Sequence, residues 1–355
     1  MSKKVGVILV NYKDYATRFL TACRDSLCAQ SYAAELTKIY IVDNAATTES
    51  QEYLKKIYPE AIILSRTDGN YSAANNLGFS QAINDGCEYL VTLNMDTEVA
   101  PEWLAELVKA LEINFQAGIA QSKILLYPKN DEQKQQPLIN SLGNIIHFLG
   151  FGFTDGYGQV NKELGAYPEI NGYASGCSFI IRSMLWQKIG GYEEEFYMYH
   201  DDLELSLKVR LAGYKIILAP LSKLYHKYEF KRSTKMLYYM ERNRYLTMLM
   251  FYPTRLLLFL FLPALIMELG LLLYSIFGLW LPTRLKVWLY FCRPKNYVRI
   301  LLIRKKIKAI SVIKFSTLAK DFSGRIEFQE INNLVLQYIV NPLFDIYWSL
   351  VKKNI

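Results

Sequence analysis

The chain has 355 residues, 52% hydrophobic and 21% charged, which excludes a disordered or fibrous polymer and allows one large domain plus an appendage. Its net charge of +8 is split: residues 1–226 carry 20 Lys and Arg against 26 Asp and Glu, net −6, leaving +14 for the remainder. The second part is therefore expected to meet an anionic partner, a membrane surface or a nucleic acid.

Met1-Ser2-Lys3-Lys4 runs straight into a strand without an apolar leader, so export by a signal segment is not expected. The strand, Val5 to Val10, is continuously apolar, as in a parallel sheet covered on both faces, and Asn11-Tyr12-Lys13-Asp14 ends it with polar groups. A helix over about Tyr15 to Ala29 follows. Lys38 to Val42 is a second strand, closed by Asp43-Asn44, with a helix from about Thr48 to Ile57. Ala61 to Leu64 is a third. Gly69 to Gly78 is a small-residue loop leading into a helix that ends near Asp85; it is not a GxGxxG fingerprint, and Asn75 and Asn76 are harder to explain by packing than its alanines. Tyr89 to Leu93 is a fourth strand, and Asn94-Met95-Asp96 places a carboxylate at its carboxyl end, where open α/β sheets bind ligands. An Asp before the helix over Glu102 to Phe115 also serves as an N-cap. The β-α-β-α-β-α-β order implies a right-handed, mostly parallel sheet with three strand ends facing one crevice.

Pro128 to Pro137 is a polar insert, and the Gly-rich stretch Gly143 to Gly172 suits a lid, an acceptor wall or a plain surface loop. Ser175 to Arg182 returns to strand character, followed by a helix to Ile189. His200-Asp201-Asp202-Leu203-Glu204 is the densest titratable cluster and opens a helix from Asp202 to Ala212, for which one Asp would suffice as a cap. A last strand from Tyr214 ends near Tyr225-His226; that His is either structural or a ligand at a further strand end. The five cysteines, Cys23, Cys28, Cys87, Cys177 and Cys292, lack CxxC spacing and suit reduced, cytosolic thiols. Leu256 to Leu281 carries one charge, Glu268, and is long enough to span a bilayer. Basic residues border it on both sides: Lys231, Arg232, Lys235, Arg242 and Arg244 before, and Arg284, Lys286, Arg293, Lys295, Arg299, Arg304, Lys305, Lys306 and Lys308 after. A single span would carry one basic flank across, so a bent hairpin or an in-plane helix pair is expected, with a buried helical core as the alternative. Nucleic-acid binding is not expected, because the basic residues border an apolar block.

Over about residues 5 to 250 the chain resembles the family-2 glycosyltransferases with a GT-A fold, within them the rhamnosyltransferase-like enzymes of cell-surface polysaccharide synthesis. The resemblance rests on Val10-Asn11-Tyr12, Val42-Asp43-Asn44, Asn75-Asn76-Leu77-Gly78, Leu93-Asn94-Met95-Asp96, Gly190-Gly191-Tyr192-Glu193-Glu194-Glu195-Phe196, His200 to Leu205, Arg210 to Tyr214, and Glu241-Arg242-Asn243-Arg244. It implies an α/β fold of the nucleotide-diphospho-sugar transferase type, with a catalytic domain over 1–250 and a basic, apolar, membrane-associating helical region over 251–355. The implied activity is inverting transfer of a sugar, rhamnose first among candidates, from a nucleotide-diphospho-sugar donor to a lipid-linked saccharide at the cytoplasmic face of the membrane. The association would be peripheral, monotopic or hairpin-anchored. Asp202 aligns with the family's base, and Asp201 stands where the family usually has Glu. Asp96 and His226 would hold a divalent cation, Mg²⁺ or Mn²⁺. Asp43 and the Asn11 backbone would read the base, with Asn75 beside them and Tyr12, Asn44 and Gly69 on the same donor side. The family's Asp-x-Asp is here Asn94-Met95-Asp96, so Asn94 contacts sugar or ribose without adding charge. Two rival functions stand: a non-catalytic carbohydrate-binding or assembly subunit that kept the fold, and a metal-dependent phosphohydrolase, which would need the clustered ligands of a two-metal centre.

Overall fold

The computed structural model describes residues 3–229, 233–327 and 334–355; Lys231 and Arg232 of the basic flank lie outside them. Two compact units result. The first comprises residues 1–144, 154–210 and 214–229, the second 145–153, 211–213 and 230–355. The division therefore falls earlier than residue 250.

The strands are β1 (Val5–Asn11), β2 (Thr37–Asp43), β3 (Ile62–Ser65), β4 (Tyr89–Leu93), β5 (Thr97–Val99), β6 (Ala117–Leu126), β7 (Ile139–Ser141), β8 (Asn144–Ile146), β9 (Gly152–Thr154), β10 (Ser178–Arg182) and β11 (Lys215–His226). The main sheet has the order β3-β2-β1-β4-β10-β6-β11-β5, with β7 beside β6; β8 and β9 pair separately. Strands β1 to β4 are parallel, with Asn11 opposite Asp43, and β6 and β11 are parallel. Strand β10 runs antiparallel to both β4 and β6, so the sheet is mixed, with parallel pairing over β1 to β4 and between β6 and β11. An apolar run carries no sign of its own direction; the end at which the chain enters the sheet decides it.

Seven helices belong wholly or mainly to the first unit: α1 (Tyr15–Cys28), α2 (Thr48–Ile57), α3 (Tyr71–Asn84), α4 (Trp103–Ile113), the short α5 (Asp131–Gln135), α6 (Ser183–Ile189) and α7 (Asp201–Leu211). The buried core of that unit includes Val7, Leu9, Leu20, Val91, Trp103, Leu107 and Ile180. Trp103 is fully buried, and its indole N–H donates to Ser122 and Ser178 at 2.9 and 3.1 Å, so its one polar group is satisfied. Helix α3 starts at Tyr71, capped by the Asn70 side chain, which accepts from the Ala73 N–H. The expected loop over Gly69 to Gly78 is thus helical after two residues. Its small residues serve close approach: a Cβ on Gly78 would lie 2.8 Å from Ile8 Cγ2, beneath a helix packed on β1 and β2.

The second unit contains α8 (Thr234–Phe251), α9 (Thr254–Phe277), α10 (Leu281–Phe291), α11 (Pro294–Ile310), α12 (Phe315–Ala319) and α13 (Asn341–Val351). Helix α9 runs unbroken through Pro263 and Gly270, and the chain turns after it, near the end of the apolar run, where the Trp280 N–H reaches the Ser275 carbonyl and Leu279 adopts φ 57°. Of α9, only Leu256, Leu260, Pro263 and Ser275 are buried, which removes the buried-core alternative. Part of the Gly-rich stretch is core of this unit rather than a lid. His147 is fully buried, its ring nitrogen lies 3.3 Å from the Gly324 carbonyl, and Phe148 stacks on Trp348 at 5.1 Å. Burial drives the His147 pKa down to about 3, so the ring stays neutral.

Gly78→Ala is expected to destabilise the protein by about 1–3 kcal/mol through overpacking against Ile8, which is itself fully buried. Chemical denaturation would measure it, with the far-ultraviolet spectrum unchanged.

Candidate active site

The strand order reverses between β1 and β4, and there the carboxyl ends of two parallel strands open a crevice. Asn11 closes β1. Its side chain donates to Asp43 at 2.9 Å and accepts from the Ala16 N–H at 2.9 Å, and its carbonyl accepts from the Asn44 N–H at 2.8 Å. One residue thereby joins two strand ends to the start of α1. Asp43 also accepts from Ser50, at 2.5 Å. Asn11, Asp43, Asn44 and Asn75 are all fully or almost fully buried, and Asn75 donates to the Tyr71 carbonyl. These four form the floor under the crevice, while Tyr12 and Asn94 keep exposed surface above it. Gly69 has φ +69°, and a Cβ there would lie 2.8 Å from the Tyr197 hydroxyl and 3.0 Å from the Tyr12 ring, so only glycine fits beneath these two tyrosines. Asn76 is structural: its amide donates to the Tyr192 carbonyl and accepts from the Tyr192 N–H, both at 3.0 Å.

Beyond β4, the Asp96 carboxylate is buried beside His226 at the end of β11. The Tyr15 hydroxyl donates to Asp96 Oδ2 at 2.6 Å. Oδ1 lies 3.3 Å from His226 Nε2, close enough for an ion pair, yet among the described residues it receives no well-directed hydrogen bond. Burial alone would raise the Asp96 pKa, but the His226 ring and the Tyr15 hydroxyl hold it below the usual carboxylate value. Burial likewise opposes a charge on His226, and the Cys177 sulfur and Asp96 outweigh it, pushing the pKa up to about 10. The far ring nitrogen, Nδ1, pairs with Asn140 Oδ1 at 2.9 Å, which orients Nε2 toward Asp96. Once Nε2 has lost its proton, the pair suits a divalent cation. Adjacent ligands of an octahedral ion with bonds of about 2.1 Å stand roughly 3 Å apart, close to the separation of Oδ1 and Nε2, and Oδ1 is a buried acceptor without a well-directed hydrogen bond. Among the described residues no group of three or more His, Cys, Asp and Glu side chains could hold a metal.

Asp201 and Asp202 open α7. Asp202 accepts from the Gly176 N–H at 3.1 Å and the Leu203 N–H at 2.9 Å. The next residue, Cys177, accepts at its carbonyl from the Asn94 N–H at 2.8 Å, so a single peptide step ties Asp202 to the Asn94-Met95-Asp96 run. Burial raises the Asp202 pKa to about 6 against the pull of those N–H groups, and burial plus the Asp202 charge raises Asp201 well above its ordinary value. Each carboxylate of the pair disfavours ionisation of the other. The turn before it is strained: Tyr197, Tyr199 and His200 have φ of 67°, 63° and 60°. The Met198 N–H bonds back to the Phe196 carbonyl at 2.7 Å, closing a γ-turn on Tyr197, whose own carbonyl accepts from the Tyr71 and Ser72 N–H groups at the start of α3. The His200 carbonyl accepts from the Glu204 N–H at 2.9 Å and so begins α7.

The sequence profile described as Glycosyl transferase family 2 matches residues 6–187, slightly more than half the chain, and includes Asn11, Asp43, Asn75, Asn94 and Asp96, while Asp201, Asp202 and His226 follow it. The chain belongs to glycosyl transferase family 2. Its relatives include the O-antigen biosynthesis protein RfbC of Myxococcus xanthus, 27% identical over 62% of this chain but only 17% of that protein. Another is the N-acetylglucosaminyl-diphospho-decaprenol L-rhamnosyltransferase of Mycobacterium tuberculosis, 23% identical over 64% of this chain and 76% of that one. Among solved structures, GalNAc-T7 with UDP, GalNAc and Mn²⁺ aligns with a TM-score of 0.54 at 16% identity, covering 71% of this chain and 48% of that one. The fold of this family-2 member is GT-A: a mixed sheet flanked by helices.

Sequence patterns did not mark Tyr15, Asn140 or Tyr71, whose hydroxyl donates to Asn94 at 3.1 Å. The one available signal was position, since Tyr15 and Tyr71 open the helices that follow β1 and β3.

A carboxyl whose folded pKa is raised stabilises the fold below its unfolded value, near 4, and loses that contribution as pH rises through about 6. Asp202→Asn removes the loss. The melting temperature of the variant minus that of the parent is expected to increase from about pH 4 and to level off above about pH 6, which thermal denaturation at a series of pH values would measure.

Proposed function

We propose that this family-2 member transfers a sugar, rhamnose first among candidates, from a nucleotide-diphosphate donor to a lipid-linked saccharide at the cytoplasmic face of a membrane, inverting the anomeric configuration. The observation that carries it is the carboxyl pair at the start of α7, with Asp202 held by the Gly176 and Leu203 N–H groups and Asp201 buried beside it. Asp202, pushed up to about 6 and still partly exposed, can accept the proton of an acceptor hydroxyl at neutral pH. As that hydroxyl oxygen bonds to the anomeric carbon, the bond from that carbon to the donor phosphate breaks and the nucleoside diphosphate leaves. A single displacement inverts the centre.

Asp96 and His226 would hold Mg²⁺ or Mn²⁺, which when bound neutralises the charge gathering on the leaving diphosphate. Tyr15 keeps Oδ2 engaged so that Oδ1 is the oxygen presented. Tyr12 and Asn94 line the donor side over the floor of Asn11, Asp43, Asn44 and Asn75, with Gly69 giving clearance. A decaprenol-linked substrate and rhamnose in the name of one relative, UDP and Mn²⁺ in a structural neighbour, and O-antigen synthesis in the name of another support this choice of donor, cation and acceptor class.

Asp202→Asn is expected to lower turnover about a hundredfold or more with donor affinity nearly intact, and the parent rate should rise with pH through about 6 and then level. Product stereochemistry by NMR completes the test; retention of configuration, or near-parental turnover in the variant, removes Asp202 from the role.

For the cation, a thermal-shift series with UDP-, dTDP- and GDP-sugars should show stabilisation that needs Mn²⁺ and disappears in Asp96→Asn. Full activity in excess chelator would overturn the assignment of Asp96 and His226.

A further inference from the structure

The second unit carries an unusual amount of uncovered apolar surface. On α9, Leu258, Leu262, Leu265, Leu269 and Leu273 recur at helical spacing and are all exposed, and Phe277 and Leu279 at its end are 84% and 88% exposed. Leu285 and Leu289 of α10, and Val298, Leu301 and Leu302 of α11, are also exposed. Exposed basic residues run between them: Lys286, Arg293, Lys295, Arg299, Lys305, Lys306 and Lys308. Apolar side chains interleaved with Lys and Arg are the composition of a surface lying at the boundary of anionic headgroups and acyl chains.

Among the described residues, helix α9 alone has the length and composition of a membrane span. Glu268, the charge inside its apolar run, speaks against that orientation. Glu268 pairs with Arg244 of α8 at 2.8 Å and with Arg284 of α10, and both arginines also reach Glu241 of α8, at 3.1 and 3.2 Å. Both arginines are almost completely buried. At about 1.5 Å of rise per residue, Glu268 sits about 14 Å from the nearer end of α9, deep within a hydrocarbon core of about 30 Å were the helix to cross it. It would draw in Arg244, Arg284 and Glu241, together with two helices too polar for that environment. The clamp therefore lets α9 lie on a bilayer and opposes its passage through one.

We propose that the second unit is a monotopic docking surface for an anionic lipid bilayer, with the outer stripe of α9 and the basic face of α11 entering one leaflet and the four-charge clamp holding α9 parallel to it. This rests on the second unit alone, so a chain that fails as a transferase leaves it standing.

The full chain is floated with vesicles of phosphatidylcholine, with and without phosphatidylglycerol. Partitioning is expected to favour the anionic vesicles, to fall about tenfold or more in Lys305→Glu/Lys306→Glu, and to be lost in Leu262→Glu/Leu269→Glu with the circular dichroism spectrum retained. Orientation is read with single cysteines, Thr254→Cys or Leu279→Cys in a Cys28→Ser/Cys292→Ser background, labelled by an impermeant maleimide in inverted and right-side-out membrane vesicles. Labelling of both positions from the same side is expected. Labelling from opposite sides, no binding to anionic vesicles, or a soluble dimer that buries the α9 stripe would each overturn the proposal.

Discussion

Two adjacent peptide groups, at Gly176 and Cys177, tie the carboxylates of the crevice to one another. The Gly176 N–H holds Asp202, and the Cys177 carbonyl holds the Asn94 N–H two residues before Asp96. The segment is itself pinned: the Ala174 N–H donates to Ser206 and the Ser175 N–H to Gln121. Asp202 and the Asn94-Met95-Asp96 run are therefore both held by the short turn that leads into β10.

On that frame, burial acts on three aspartates with three outcomes. Asp96 stays ionised because His226 and Tyr15 compensate its loss of water. Asp202 is pushed up to about 6 by the same loss, partly offset by backbone N–H groups, and Asp201, although backbone N–H groups also act on it, is raised well above its ordinary value because it faces the Asp202 charge as well. Identical side chains thus titrate differently according to what surrounds them.

Strain and charge burial mark the places where the chain gives up stability. Three left-handed residues in the four before Asp201 are not glycine, and the carbonyl of the first, Tyr197, caps α3; the turn thereby ties the start of α7 to the loop beside Tyr12 and Gly69. In the second unit, two buried arginines are kept in place by two glutamates, and removing either partner would leave an uncompensated charge inside.

The sequence by itself determined the strand ends and what they carry. Continuous apolar runs closed by polar residues located β1, β2 and β4, and with them Asn11, Asp43 and Asp96, because periodicity and strand termination are local properties. The acidic start of α7 was legible for the same reason. Tertiary structure alone decided that β10 runs antiparallel, that residues 145–153 belong to the core of the second unit, and that Tyr15 and Asn140 finish the Asp96–His226 pair across 81 and 86 positions of sequence. Arg244 and Arg284 show the same limit. In the sequence they counted as basic flanks of an apolar run, whereas in the fold they are buried partners of Glu268. A side chain's charge is written in the sequence, but whether it meets water or a counter-ion depends on which distant segment packs against it.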